Sequence, residues 1–268
     1  MIFEKNLRKE VYFDKCSFVA IDIEATGLKI KDDRILELAL VKWEYNGKKE
    51  YFHSLFNPGI EPTPHSVNIH GITVKELKDA PEFRELKEKI KDFIGDSIIV
   101  GFNVLALDLS LLNKELRMQG EAPIYNYVID VQGVASKIFG KPRERSLYTI
   151  SREMNIINSH FHRALPDADT TMKIWIKMLE HFRSQGFRKM NELHERGYFH
   201  IKLNPVACDI FLLGREKRYV EIVYKSPNSP KTKRTIEPLG VRGSMVDAFC
   251  NLRLDFRSFN TANILSYS

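Results

Sequence analysis

The chain has 268 residues, 43% hydrophobic and 28% charged, a globular composition that excludes disordered and fibrous classes. Its formal charge of +6 is uneven: residues 201–268 hold 11 Lys/Arg against 6 Asp/Glu, whereas residues 1–200 hold 30 against 29. A basic tail on a near-neutral body suggests two jobs and a polyanionic partner.

No apolar run approaches the ~18 residues of a membrane span. The longest, Phe18–Ile23 and Ile35–Val41, are broken by charge, and the first 25 residues carry too many ionised groups for a secretory signal. Cys16, Cys208 and Cys250 have neither zinc nor disulfide spacing, so a reducing cytoplasm is the expected location.

In chain order, Ser17–Ile23 reads as a short apolar strand, and Ile35–Trp43 and Glu50–Phe56 as two more, with Asn46-Gly47 as a hairpin signal between them. Pro81 opens a helix with Phe83, Leu86, Ile90 and Phe93 at helical spacing. A buried strand over 97–100, a helix over Asp108–Met118, a strand over Tyr125–Val131 and a helix over Asp167–Phe182 follow. A meander followed by mixed strands and helices predicts a mixed sheet covered by helices. The charged stretch Phe187–Arg196, flanked by Gly186 and Gly197, reads as a connector. Beyond it, Asn204 and Pro205 open a helix with Gly214 where a C′ glycine belongs. Short strands near Val220–Tyr224, Lys233–Glu237, Met245–Cys250 and Leu254–Phe259 then predict a small antiparallel barrel or sheet.

The chemistry-bearing residues lie mostly in the first part. Asp22 and Glu24 are two apart on an apolar strand, so both point to one face. Two carboxylates emerging together there call for a hard divalent cation. Asp-x-Glu alone is common, and Asp108 and Asp167 each suit an ordinary helix N-terminus. Asn103 suits a turn, and His162 could be any surface histidine.

As an ordered set, Asp22, Glu24, Asn103, Asp108, His162, Ala164 and Asp167 resemble the DEDDh, or DnaQ-like, 3′→5′ exonuclease family over about residues 16–183. Asp22-Ile-Glu-Ala-Thr-Gly-Leu28 resembles its first motif, and Asp33–Glu37 and Ile69–Thr73 are further matching stretches. His162, five residues before Asp167, marks the His subtype. Ala25 stands where Thr or Ser is more frequent, and Phe102 and Leu107 replace the second motif's usual His and Phe without removing an acid. The resemblance implies an RNase H-like α/β fold, a mixed sheet with flanking helices. It also implies two Mg²⁺ or Mn²⁺ ions held by Asp22, Glu24, Asp108 and Asp167, with His162 as general base. The implied reaction removes nucleoside 5′-monophosphates from single-stranded 3′ ends, DNA being favoured over RNA. Thr26, Gly27, Leu28 and Asn103 would contact the terminal nucleotide.

The tail resembles a WYL domain, a small Sm/SH3-like β-barrel, through Tyr219–Tyr224, Thr232–Pro238 and Phe256–Phe259, although Ser244-Met245-Val246 occupies the place of the naming tripeptide. The resemblance makes Arg234, Arg242, Arg253 and Arg257 candidate substrate contacts. The expected organisation is an exonuclease domain over 1–183, a linker over 184–200 and a WYL-like domain over 201–268. The alternative is a nucleic-acid- or ligand-sensing module that uses the nuclease fold as a binding platform.

Overall fold

The computed structural model describes residues 10–140, 146–158, 162–199, 203–227 and 229–268. The expected boundary at 200–201 lies outside them. Contacts divide the chain into one unit of Met1–Thr26, Ile35–Val104 and Asn126–Ile201, and another of Gly27–Arg34, Leu105–Tyr125 and Lys202–Ser268. Among the described residues, no helix is long and apolar enough to cross a membrane.

The first unit is built on β1 (Ser17–Ala25), β2 (Ile35–Glu44), β3 (Lys49–Leu55), β4 (Ile98–Gly101) and β5 (Val128–Asp130), in the order β3-β2-β1-β4-β5. The first three strands form an antiparallel meander, while β4 and β5 add in parallel, so the sheet is mixed as the sequence predicts. β1 is the central strand. Its burial on both faces explains its near-continuous apolar run. β5 is shorter than expected because the Asp130 side chain caps α5 (Val131–Ile138), accepting from the N–H groups of Gln132 and Gly133. The other helices of this unit are α1 (Pro64–His70), α2 (Val74–Lys78), α3 (Phe83–Ile94), α6 (Leu147–Glu153), α7 (Ala164–Ser184) and α8 (Met190–Glu195).

The long α7 packs across β1 and β2. Trp175, wholly buried on α7, meets the Phe18 ring of β1 at 5.6 Å, and Phe18 meets Trp43 of β2 at 5.9 Å. The 184–199 stretch is charged in sequence, yet it places α8 here. Met190, Leu193 and Phe199 are buried in the same core as Trp175 and Phe182. Its apolar residues are too sparse to register as a periodic signal, but each is spent on the core.

The second unit contains α4 (Asp108–Met118), α9 (Pro205–Lys217) and strands β6 (Val220–Tyr224), β7 (Thr232–Arg242), β8 (Met245–Cys250), β9 (Asp255–Asn260) and β10 (Ile264–Tyr267). The strands form an antiparallel sheet in the order β10-β6-β7-β8-β9, one strand more than the sequence predicts. The sheet curls, because the Tyr224 and Phe259 rings, on strands three places apart in that order, approach to 5.1 Å. Closure into the expected barrel is not among the strand pairings of the described residues. α9 runs through Gly214 to Lys217. That glycine is needed for close approach, since a Cβ there would lie 2.9 Å from Pro238 Cγ.

Within this unit α4 is buried on every side from Leu109 to Leu116, its polar residues included. Asn113 accepts from the Ile124 N–H at 2.6 Å and donates to the Ile124 and Leu239 carbonyls. Arg117 pairs with the wholly buried Glu237 of β7, and Ser110 donates to the wholly buried Asp247 of β8 at 3.0 Å. Glu115 takes both arms of Arg34, and the Lys114 ammonium caps the Asp33 carbonyl. The helix therefore fixes loop 27–34 on one side and the second sheet on another. Asn113→Ala, which strands an N–H and two carbonyls in the interior, is expected to lower stability by about 2–4 kcal/mol in urea unfolding.

Candidate active site

Asp22 and Glu24 lie half-buried on β1, two residues apart and hence on one face. Asp167 comes from the first turn of α7 and is buried. Each of the three offers a carboxylate oxygen within 4.8 Å of the others. This spacing fits a hard divalent cation, for which clustered carboxylate oxygens are the preferred donors. Burial pushes the Asp167 carboxyl above its usual range, against the Asp167-directed N–H of His162 and the amide of Asn158. A cation at the cluster would oppose that rise and keep Asp167 ionised.

His162 is exposed in a left-handed turn with φ 65°, and its N–H donates to Asp167 Oδ2 at 2.9 Å. Imidazole and carboxylate are thus placed by one short turn. Asn103 is also left-handed, with φ 56°, and its N–H donates to Asp130. Thr26 is buried, and its carbonyl accepts from the Thr63 N–H and the Ser66 hydroxyl.

The remaining candidates fall in the second unit. Asp108 opens α4, half-buried. Gly27 faces the Asp33 carboxylate, which a Cβ would meet at 2.6 Å, so no larger residue fits without moving Asp33. Asp33 in turn accepts from the Lys29 N–H at 2.7 Å, which shapes the turn and leaves Leu28 73% exposed. Of the four arginines, Arg242 is tied to Asp247 by two bonds of 2.7 and 2.9 Å. Arg253 is exposed in the turn after β8, Arg257 is exposed on β9, and Arg234 is half-buried on β7.

Sequence reasoning missed the role of Glu37. This carboxylate is 1% exposed on β2, opposite Glu24 in register. It accepts both arms of Arg163 at 3.0 Å, the Ala164 N–H at 3.1 Å and His53 Nε2 at 2.7 Å. It therefore anchors the segment between His162 and Asp167, and explains why α7 begins at Ala164, three residues before the expected start. The available signal was Glu37 interrupting the apolar run Ile35–Val41. Burial alone would raise its carboxyl, but the bonds from His53, Arg163 and Ala164 outweigh it and hold the carboxyl at about 2. A depressed carboxyl stabilises the fold above the unfolded value of about 4.5, and that support drains as pH falls toward about 2. Unfolding measured from pH 7 to pH 2 is expected to show Glu37→Gln less stable at neutral pH by about 3 kcal/mol, with the gap to wild type closing across that acid window.

Comparison with known proteins agrees with this geometry. Residues 19–175 match the RNase T family, described as exonuclease. The chain is 28% identical over 188 residues to the PolC-type DNA polymerase III of Staphylococcus aureus, covering 70% of this chain but only 13% of that protein. Its fold is similar to E. coli Exonuclease I in complex with a dA16 oligonucleotide, at TM-score 0.56 and 16% identity over 88% of this chain and 55% of that one. It is also similar to the nuclease domain of 3′hExo, a DEDDh family member bound to rAMP, at TM-score 0.54 and 17% identity, covering 65% and 95%. With that match spanning the acids of β1 and α7, the chain belongs to the DEDDh, DnaQ-like family of 3′→5′ exonucleases.

Proposed function

We propose that the protein hydrolyses the terminal phosphodiester at the 3′ end of single-stranded nucleic acid, DNA in preference to RNA, and releases nucleoside 5′-monophosphates. The observation that carries this reading is the gathering of Asp22, Glu24 and Asp167 beside the His162 turn. On this reading the three acids hold Mg²⁺ or Mn²⁺, and Asp108 is the fourth acid of the set. Two such cations supply positive charge to the attacking and leaving oxygens of the phosphodiester. His162 takes the proton from the attacking water. Its exposure leaves the ring accessible to that water. The bond from its N–H to Asp167 keeps base and ligand in fixed relation.

Leu28, exposed after the buried Thr26 anchor, lies against the terminal base, and the small Gly27 allows the strand close to the backbone. Asn103 contacts the same nucleotide. The polymerase relative favours DNA, and the rAMP bound to 3′hExo makes RNA the necessary comparison.

In domain terms, residues 1–183 carry the exonuclease motifs, 184–200 lead on from them with α8 packed into the same core, and 201–268 are a basic segment that grips the substrate. A small WYL-like barrel for that unit is supported by the curl at Tyr224 and Phe259 and by the short β9–β10 link. Asn260 and Ile264 end and begin edge strands four places apart, a separation of about 19 Å in a flat sheet. Four residues of extended chain span at most about 14 Å, so the edges must approach.

End-labelled ssDNA and ssRNA with Mg²⁺ or Mn²⁺ test the reaction. Asp22→Ala is expected to abolish metal-dependent cleavage, and activity surviving in that variant would place the chemistry elsewhere. His162→Ala is expected to lower kcat by about 10²–10⁴ while metal binding persists.

A further inference from the structure

The second unit contains a cavity of about 420 Å³ whose lining mixes cations and aromatic rings. Lys31 reaches it from the loop after β1, Arg234 from β7, and Phe256 and Arg257 from β9, with Tyr224 and Phe259 beside them. The volume lies within the ~300–1,000 Å³ of small-molecule sites.

Its cations differ from the rest of the tail's. The Arg234 guanidinium packs 5.6 and 5.8 Å from the Tyr224 and Phe259 ring centroids, and its Nε donates to Thr232 at 3.0 Å. These contacts fix its plane while leaving N–H donors over, since a guanidinium has five. Arg257 makes no hydrogen bond or ion pair among the described residues. Lys31 is 56% exposed in its side chain and paired with Asp255 at 2.7 Å. The cavity therefore gathers three cations against one carboxylate. Arg242 is instead consumed by Asp247, and Arg253 is not part of the lining. Phe256, held edge-on by Phe249 at 5.2 Å, supplies a fixed apolar wall.

We propose that this cavity binds one nucleotide unit of single-stranded nucleic acid, its phosphate held by Arg234, Arg257 and Lys31 and its base against Phe256. Cations tracking a backbone beside an aromatic wall are the recognition chemistry of single strands. The inference deepens the exonuclease reading, from which it takes its substrate class. It selects two of the four tail arginines and adds Lys31, seven residues after Glu24 in the chain.

The test uses the full chain with chelator present, so that binding is read without cleavage, by fluorescence anisotropy of labelled dT15. Arg257→Ala is expected to weaken binding about 5–10-fold and to reduce the salt slope by about 0.7, the value of one single-strand phosphate contact. Arg253→Ala, equally exposed but outside the cavity, is expected to change affinity less than about twofold. An unchanged Arg257→Ala, or an equal loss in both variants, overturns the site in favour of diffuse charge. An abasic 15-mer should bind wild type more weakly than dT15, and Phe256→Leu, checked for an intact thermal transition, should erase that gap; equal wild-type binding of both oligonucleotides overturns the base contact. Because no turnover is needed, loss of dT15 affinity in Arg257→Ala stands even if cleavage assays fail, and active cleavage with unchanged affinity sinks the cavity alone.

Discussion

Like charges within 4.8 Å of one another repel, and partial burial removes much of the water that would screen them. The centre of the first sheet accepts that cost at Asp22, Glu24 and Asp167. The surrounding structure is organised to hold them there. β1 is flanked on both sides by strands, so its two acids cannot drift apart. Asp167 sits on a helix packed over the same strands, its turn closed by the His162 N–H and the Asn158 amide. Repulsion is tolerated because strand pairing fixes β1 and core packing fixes α7, with the bonds that Asp167 accepts added to them.

Glu37 shows how a negative charge can serve that arrangement. It is buried beneath the start of α7, yet it is fully satisfied by Arg163, His53 and the Ala164 N–H. A buried charge paired in this way is costly to break rather than intrinsically stabilising. Its value here lies in geometry. It holds Arg163 and the Ala164 N–H where α7 begins, between the His162 turn and Asp167.

Much of this was legible in sequence. Period-two carboxylates on an apolar strand marked Asp22 and Glu24, and the ordered family motifs added Asp167, the third acid that the structure gathers with them. The mixed sheet followed from the order of strands and helices. Glu37 was less legible because its partners, His53 and Arg163, are 16 and 126 residues away. The sparse apolar residues of 184–199 gave no period, so α8 read as connector. The tail's arginines looked equivalent because sequence does not say that Asp247 neutralises Arg242 while Arg257, among the described residues, makes no hydrogen bond.

The interleaving of segments in the second unit carries a consequence for how the protein is made. α4 leaves the ribosome early, but the partners of its buried Ser110 and Asn113 and half-buried Arg117 on β7 and β8 lie beyond residue 202. At about 5–20 residues per second, several seconds of synthesis separate the helix from those partners. Until the last strands emerge, the nascent chain exposes apolar and polar surface meant for the interior. The final stretch of translation is therefore the step at which the helix carrying Asp108 acquires its permanent surroundings.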